Sequence, residues 1–355
     1  MPLTRLIAPD AMLAALLHGV VPVAAQRLPP AAALGRVLAG DLRTSAPCPA
    51  RDIALREGWA VSAAATLGAS PYGPIPLPDA PVLLRAGEAL PPGTDALLGP
   101  FDLEEHPFPQ ALQAVAPGEN TRRAGEDFPS CAELARSGER LRALHLPALH
   151  AAGIAEVALR VPRVTLLDRG TGLGPMLATL ATAEGAEVAW RDAAPDALRE
   201  AEGDAILVVG GIGESSGDPA PHALAAAGTL LAHGLAARPG LATAIGRIGT
   251  RPVLLLPDRA EDALAAWWLL GRPLLRHLAG AAASPPREAR LARKVASAIG
   301  LAELVPLRFT EPGVVQPLAV GALPLGILAT ADALLVVPPG AEGYEAGSMI
   351  ACDAL

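Results

Sequence analysis

Aromatic side chains are scarce in this chain: Phe, Trp and Tyr supply 3% of 355 residues, although hydrophobic residues reach 51%. Alanine carries much of that apolar share, so small-residue packing must fill cores that rings usually fill. Lysine is scarcer still. Lys294 stands alone, nearly all positive charge is arginine, and a net charge of −8 with no basic cluster argues against a nucleic-acid partner. The three cysteines, Cys48, Cys131 and Cys352, are widely spaced and form no Cys-x-x-Cys pair. They offer no zinc template, and the expectation is buried free thiols in a reducing cytoplasm. Long apolar runs are missing as well. The longest candidate, 220–237, is mostly alanine and is broken by Pro221, His222, Gly228, His233 and Gly234, too weakly lipophilic to span a membrane. The N-terminus leads into a helix-like pattern with Asp10 as its cap rather than into a charged segment, apolar run and cleavage site. The chain is expected to be cytoplasmic, with no membrane contact.

Glycine, by contrast, is concentrated at one place. Residues 205–209 form a short apolar run that ends in Gly210, Gly211, Gly213 and Gly217, threaded with Ser215 and Ser216 and closed by Asp218. The run reads as a buried strand, and backbone this dense in glycine can bring its N–H groups against an anion. At the carboxyl end of a parallel strand it would lie where open α/β sheets bind ligands, which points to a phosphate-bearing small molecule. An ordinary strand-to-helix turn explains the same residues equally well.

The length suggests about two to four domains. Residues 8–42 pattern as helices, with Met12, Leu13, Leu16 and Leu17 on one face and Pro29 opening a second run through Ala33, Leu34, Val37 and Leu38. From 44 to 130 the texture turns to Pro, Gly and short apolar pieces at 59–61, 81–84 and 95–98, expected to be a small β-rich domain. A helix over 141–152 should end at Gly153. Strand and helix then alternate: strands at 163–167, 187–190, 205–209 and 252–256, helices at 176–184, 196–202, 222–227 and 260–270. Together these predict a three-layer α/β unit. Residues 281–286 read as a linker, and 287–355, with strand-like pieces at 305–309 and 333–337, as a small β domain.

Three motifs in order make the chain resemble the molybdopterin molybdenumtransferase family, the molybdenum insertases that include the gephyrin E domain. LGRVLAGD at 34–41 leads to PCPARD at 47–52 and EGWAV at 57–61; LPPGTDA at 90–96 precedes GENTRRAGED at 118–127; and AGIAEV occupies 152–157. The resemblance implies a multidomain α/β plus β fold: a split helical and linker domain (1–43 and 131–160), an inserted β-rich domain (44–130), a molybdopterin-binding α/β domain (161–282) and a C-terminal β-barrel-like domain (283–355). It also implies a homodimer whose clefts lie between the α/β domain of one subunit and the inserted domain of the other. The implied reaction takes adenylylated molybdopterin and molybdate with Mg²⁺ and yields molybdenum cofactor and AMP.

Against that pattern this copy departs where the chemistry should be. The family's D-N-S-x-M-D is Asp52-Ile-Ala-Leu-Arg-Glu57, its S-T-G-D-E-L is Asp168-Arg-Gly-Thr-Gly-Leu173, its K-P-G-K-P is Arg238-Pro-Gly-Leu-Ala242, and its G-L-P-G-N-P is Leu255-Leu-Pro-Asp-Arg-Ala260. Carried over residue by residue, the resemblance makes Glu57, Asp127 and Asp218 the catalytic carboxylates, with Asp218 and Glu57 on the metal. It assigns Gly210, Gly211, Gly213, Ser215, Ser216, Arg238, Gly240, Pro257 and Arg259 to the pterin ligand. Asp127 could instead pair with Arg122 or Arg123, and Asp218 could cap the following helix. Asp168 is a candidate displaced carboxylate; none of the histidines is read as a ligand. Two functions stand side by side. One is a divergent transferase with partly degraded catalytic positions. The other is a non-catalytic molybdopterin or molybdenum cofactor carrier, or an assembly partner for a molybdoenzyme.

Overall fold

The computed structural model describes residues 5–193, 197–215, 217–283 and 285–355. Its centre is a six-stranded sheet in the order Glu187–Asp192, Arg163–Asp168, Ala205–Val209, Arg251–Leu256, Ala244–Ile248, Thr229–His233. The first four strands are parallel; Ala244–Ile248 runs against them, and Thr229–His233, antiparallel to Ala244–Ile248, runs with them again. Ala205–Val209 shows why the run reads as uniformly apolar: every residue is buried, alternating between two cores. Ala205, Leu207 and Val209 face one layer with Leu254, Leu256 and Trp267, while Ile206 and Val208 face the other with Leu198, Leu224 and Leu255. A strand covered on both faces cannot show polar alternation.

The first layer is closed by the helices Gly174–Ala183, Ala260–Ala266 and Arg272–Leu278. The last two are joined through a wide turn at Trp267–Gly271, so the expected 260–270 helix continues to Leu278. The N-terminal helix Pro9–Leu17 also buries Met12 and Leu16 in this core. The second layer is carried by the helix Pro219–Ala227.

Several expectations need correcting. The predicted helix through 29–38 is a short 3-10 turn, Pro30–Ala33, followed by the strand Val37–Leu38. Pro29, Pro30 and the β-branched Val37 leave too short a run to propagate a helix. The helix expected over 141–152 is confined to Leu146–Ala151 after a 3-10 turn, with Gly153 at φ +68 ending it. Residues 197–200 are turn rather than helix; the predicted start at Asp196 lies outside the described residues, as does Ser284 in the expected linker. The strands Thr229–His233 and Ala244–Ile248 were not anticipated, because their Ala, Gly and Leu content carries no strand periodicity. All three cysteines are free, as expected, but only Cys352 is buried, and Cys131 is exposed.

Around this sheet, Ala25–Leu28, Val157–Arg160 and Val37–Leu38 form a small antiparallel sheet over Ala33, Leu141 and Leu149. Residues between them build short ladders, chiefly Val82–Leu84, Gly58–Val61 and Ala96–Leu98. In the C-terminal part, Ala302–Glu311, Val314–Pro317, Arg287–Leu291, Met349–Ala354 and Ala333–Val337 pair in that order, and the last pairs back to the first. That closes a five-stranded barrel around Val305, Leu307, Val315 and Leu335, leaving it no open edge. Among the described residues no helix is long and apolar enough to cross a membrane.

Candidate functional site

Strand direction fixes which loops meet. Asp168, Val209 and Leu256 end three adjacent parallel strands, and the antiparallel register sets His233 opposite Ala244 and Ala244 opposite Leu255. Four loops therefore emerge at one edge of the sheet: 169–173, 210–218, 234–243 and 257–259. The sequence-predicted residues Gly210, Gly211, Gly213, Ser215, Asp218, Arg238, Gly240, Pro257 and Arg259 all lie in them. Ser216 lies outside the described residues.

The glycine loop is shaped by its neighbours. Gly210 donates its N–H to Leu256 and Gly211 accepts from Ala220, which ties the turn to the next strand and to the Pro219–Ala227 helix. Both glycines are left-handed, at φ +93 and +70, and both are crowded. A Cβ on Gly210 would lie 2.5 Å from Thr171 Cγ2; one on Gly211 would lie 2.7 Å from Arg169 Nε and 3.2 Å from Pro219 Cγ. Glycine is required there for conformation and for space alike. The Asp218 carboxylate folds back on the same loop, its Oδ2 accepting the N–H of Gly213 at 2.7 Å and of Ser215 at 3.1 Å. It makes no side-chain cap to the helix it precedes. Two amides expected to face an external anion are thus held by an internal one.

Asp168, at the end of its strand on the same edge, is 2% exposed. Its oxygens accept from Thr171 N and Oγ1, both at 2.8 Å, and from Gly174 N at 2.9 Å. Burial acts to raise its pKa, but the hydrogen bonds from Gly174, Thr171 and Gly172 outweigh it and hold the carboxyl below its ordinary value. Asp168 is an anchor for the turn that starts the Gly174–Ala183 helix.

Two of the expected cations are already matched. Arg238 pairs with Glu303, which is 1% exposed and belongs to the barrel's longest strand, and its guanidinium also lies over Gly321. Arg259 pairs with Glu261 and sits 3.6 Å from Asp262. Gly240, at φ +111, donates to Asp262 Oδ1 at 2.7 Å.

Glu57 and Asp127 are elsewhere. Ile53–Ala54 pairs antiparallel with Thr121–Arg122, a register that sends the two carboxylates to opposite ends of a short ribbon. Glu57 is exposed, and Asp127 pairs with Arg122 at 3.0 Å, the structural alternative raised for it. Among the described residues, no hydrogen bond or ion pair ties either to the sheet edge, and no three His, Cys, Asp or Glu side chains group as a metal's ligand set. One chain's sheet edge does not fit the Mg²⁺ that the resemblance implies: Asp168 and Asp218 spend oxygens on backbone amides, and Asp258 and Glu214 are exposed and apart from any cluster.

Two residues were missed. His233, 8% exposed, donates its Nε2–H to the Gly213 carbonyl at 3.1 Å and braces the glycine loop from the antiparallel side. Reading the Thr229–His233 strand would have found it. Arg169 follows Asp168 directly, in plain view in the departed motif, and its stem packs on Gly210 and Gly211.

The comparisons with known proteins cover nearly the whole chain. Residues 7–153 match the model of the MoeA N-terminal region (domain I and II), residues 171–277 that described as "Probable molybdopterin binding domain", and residues 288–352 that of the MoeA C-terminal region (domain IV). The chain is 26% identical over 300 residues to molybdopterin molybdenumtransferase 2 of Mycobacterium tuberculosis, covering 70% of this chain and 74% of that protein. Among solved structures it is similar to the molybdopterin biosynthesis moeA protein of Pyrococcus horikoshii, with a TM-score of 0.70 and 22% identity over 99% of this chain and 100% of that one. The molybdenum cofactor biosynthesis protein of Pyrococcus furiosus has a TM-score of 0.65 and 20% identity over the same shares.

Proposed function

The chain belongs to the MoeA family of molybdenum cofactor biosynthesis proteins, and from that premise we propose that it binds molybdopterin at the carboxyl edge of its α/β sheet as a carrier with weak or absent molybdate insertion. The observation that carries this reading is that four loops leave one edge of the sheet beside the Gly210–Gly211 turn, while Asp168, Asp218 and two of the cations there are engaged internally. A glycine turn with positive φ lets a planar ligand or a phosphate approach the backbone, which serves binding. Insertion of molybdate with release of AMP asks more: carboxylates for a cation and donors for the departing phosphate. Asp168 and Asp218 are spent on the fold of their own loops, so binding outlasts turnover.

Gly210, Gly211 and the Pro257–Arg259 loop would contact the pterin, and Asp218 would set the shape of its wall. The protein acts in the cytoplasm as a homodimer, with Glu57 and Asp127 facing the sheet edge of the partner subunit. It delivers the cofactor to a molybdoenzyme or to another protein of cofactor biosynthesis. A second reading, a slow but working transferase, is favoured by the shared family and by the retained Glu57 and Asp218.

Incubation with adenylylated molybdopterin, molybdate and Mg²⁺, scoring AMP release and bound pterin separately, tests both readings. Retained pterin without AMP supports the carrier. AMP release that disappears in Glu57→Ala or Asp218→Ala supports the transferase, and neither signal would defeat both.

A further inference from the structure

Three arginines lie in the four edge loops: Arg169, Arg238 and Arg259. Arg238 and Arg259 are neutralised by Glu303 and by the Glu261–Asp262 pair. Arg169 differs. Its side chain is half-buried and makes neither an ion pair nor a hydrogen bond among the described residues; its backbone N–H alone is engaged, with Val209. The stem is nonetheless well placed. Its Cβ lies 3.3 Å from where a Cβ of Gly210 would be, and its Cδ and Nε lie 3.0 and 2.7 Å from where a Cβ of Gly211 would be. The glycine pair is the groove in which this arginine lies, and the guanidinium is carried to the backbone turn proposed to meet a pterin phosphate.

Among the described residues, the same edge lacks the ligand set of a divalent cation. A phosphate brought to a partly desolvated site needs its charge compensated, by a metal or by a fixed cation. A guanidinium does this without help, because it stays charged at any working pH and presents paired donors to phosphate oxygens. We propose that Arg169 takes the place of the divalent cation in this chain, so that the site holds a phosphate-bearing pterin independently of Mg²⁺. The inference rests on the pterin-binding reading above. It makes Arg169 the specificity-determining residue for the ligand's phosphate and accounts for a charge with no partner among the described residues, at the point where Asp168 and Asp218 are engaged internally.

The test is a titration of the full-length protein with adenylylated molybdopterin, once in EDTA and once in Mg²⁺, following bound pterin by fluorescence. The expected Kd is the same within about twofold in the two buffers. Arg169→Gln should raise it by roughly tenfold to a hundredfold, as loss of a hydrogen bond to a charged group does, and Arg169→Lys by less. Among the described residues the side chain has no hydrogen-bonded partner to abandon, so Arg169→Gln should keep the wild-type urea midpoint, which serves as the folding control. Binding that requires Mg²⁺, or that survives unchanged in a folded Arg169→Gln protein, overturns this inference and leaves the pterin reading standing. No binding in either buffer overturns both.

Discussion

Arg238 is the residue for which sequence and structure suggest opposite roles, and its removal separates them. Glu303 is 1% exposed; one of its oxygens meets Arg238 and the other, Oε2, has no hydrogen-bond partner among the described residues. Deleting the arginine would leave a buried carboxylate with nothing to offset its desolvation. Breaking a buried pair in this way costs about 3–5 kcal/mol. The Arg238 side chain, however, is 51% exposed, so water already screens one side of the pair. That places the loss for Arg238→Ala at the low end, about 2–3 kcal/mol. Glu303→Gln removes the charge along with its need for compensation and should cost about 1 kcal/mol. The double variant should then be more stable than Arg238→Ala alone, with a coupling of about 1–2 kcal/mol. Urea unfolding followed by tryptophan fluorescence reads this, and Trp268, one of four tryptophans, packs against the cluster of Leu304, Leu323 and Leu334 next to Glu303. A cost below about 0.5 kcal/mol for Arg238→Ala, together with weaker pterin binding, would refute the argument and return Arg238 to the ligand.

Gly211→Ala forces a β-carbon onto Arg169 Nε at φ +70 and should cost about 1–3 kcal/mol in urea unfolding while abolishing pterin retention; a neutral effect would remove the reason given for the glycine. Asp168 has a depressed folded pKa, so its stabilisation is fully present above the ordinary carboxylate value and is lost as pH falls through the folded value. Asp168→Asn should therefore cost about 1–3 kcal/mol at neutral pH and converge with the wild type in acid, as urea midpoints across the acid range would record. Size-exclusion chromatography with light scattering should give a dimer at micromolar concentration. A monomer would count against a cleft shared between subunits.

The fold was legible where periodicity and order are strong. The run at 205–209, the glycine turn after it, the alternation from 163 onward and the strand at 333–337 are local signals, and three ordered motifs carried the family. Secondary structure failed where the signal was compositional. Alanine and leucine serve helix and strand alike, so Thr229–His233 passed unread, and with it His233.

What the sequence determined by itself is the set of groups available: a glycine turn, arginine in place of lysine, and a departed motif at 168–173 from which the family's acidic pair is gone. Only the tertiary structure decided which groups are spent. Asp168 and Asp218 turn back on their own amides, Arg238 is tied to a glutamate 65 residues onward, and Arg169 is left without a side-chain partner among the described residues. Pairing depends on distances between loops that strand direction and sheet order bring together, and a linear sequence records residue identity without recording which neighbour arrives first.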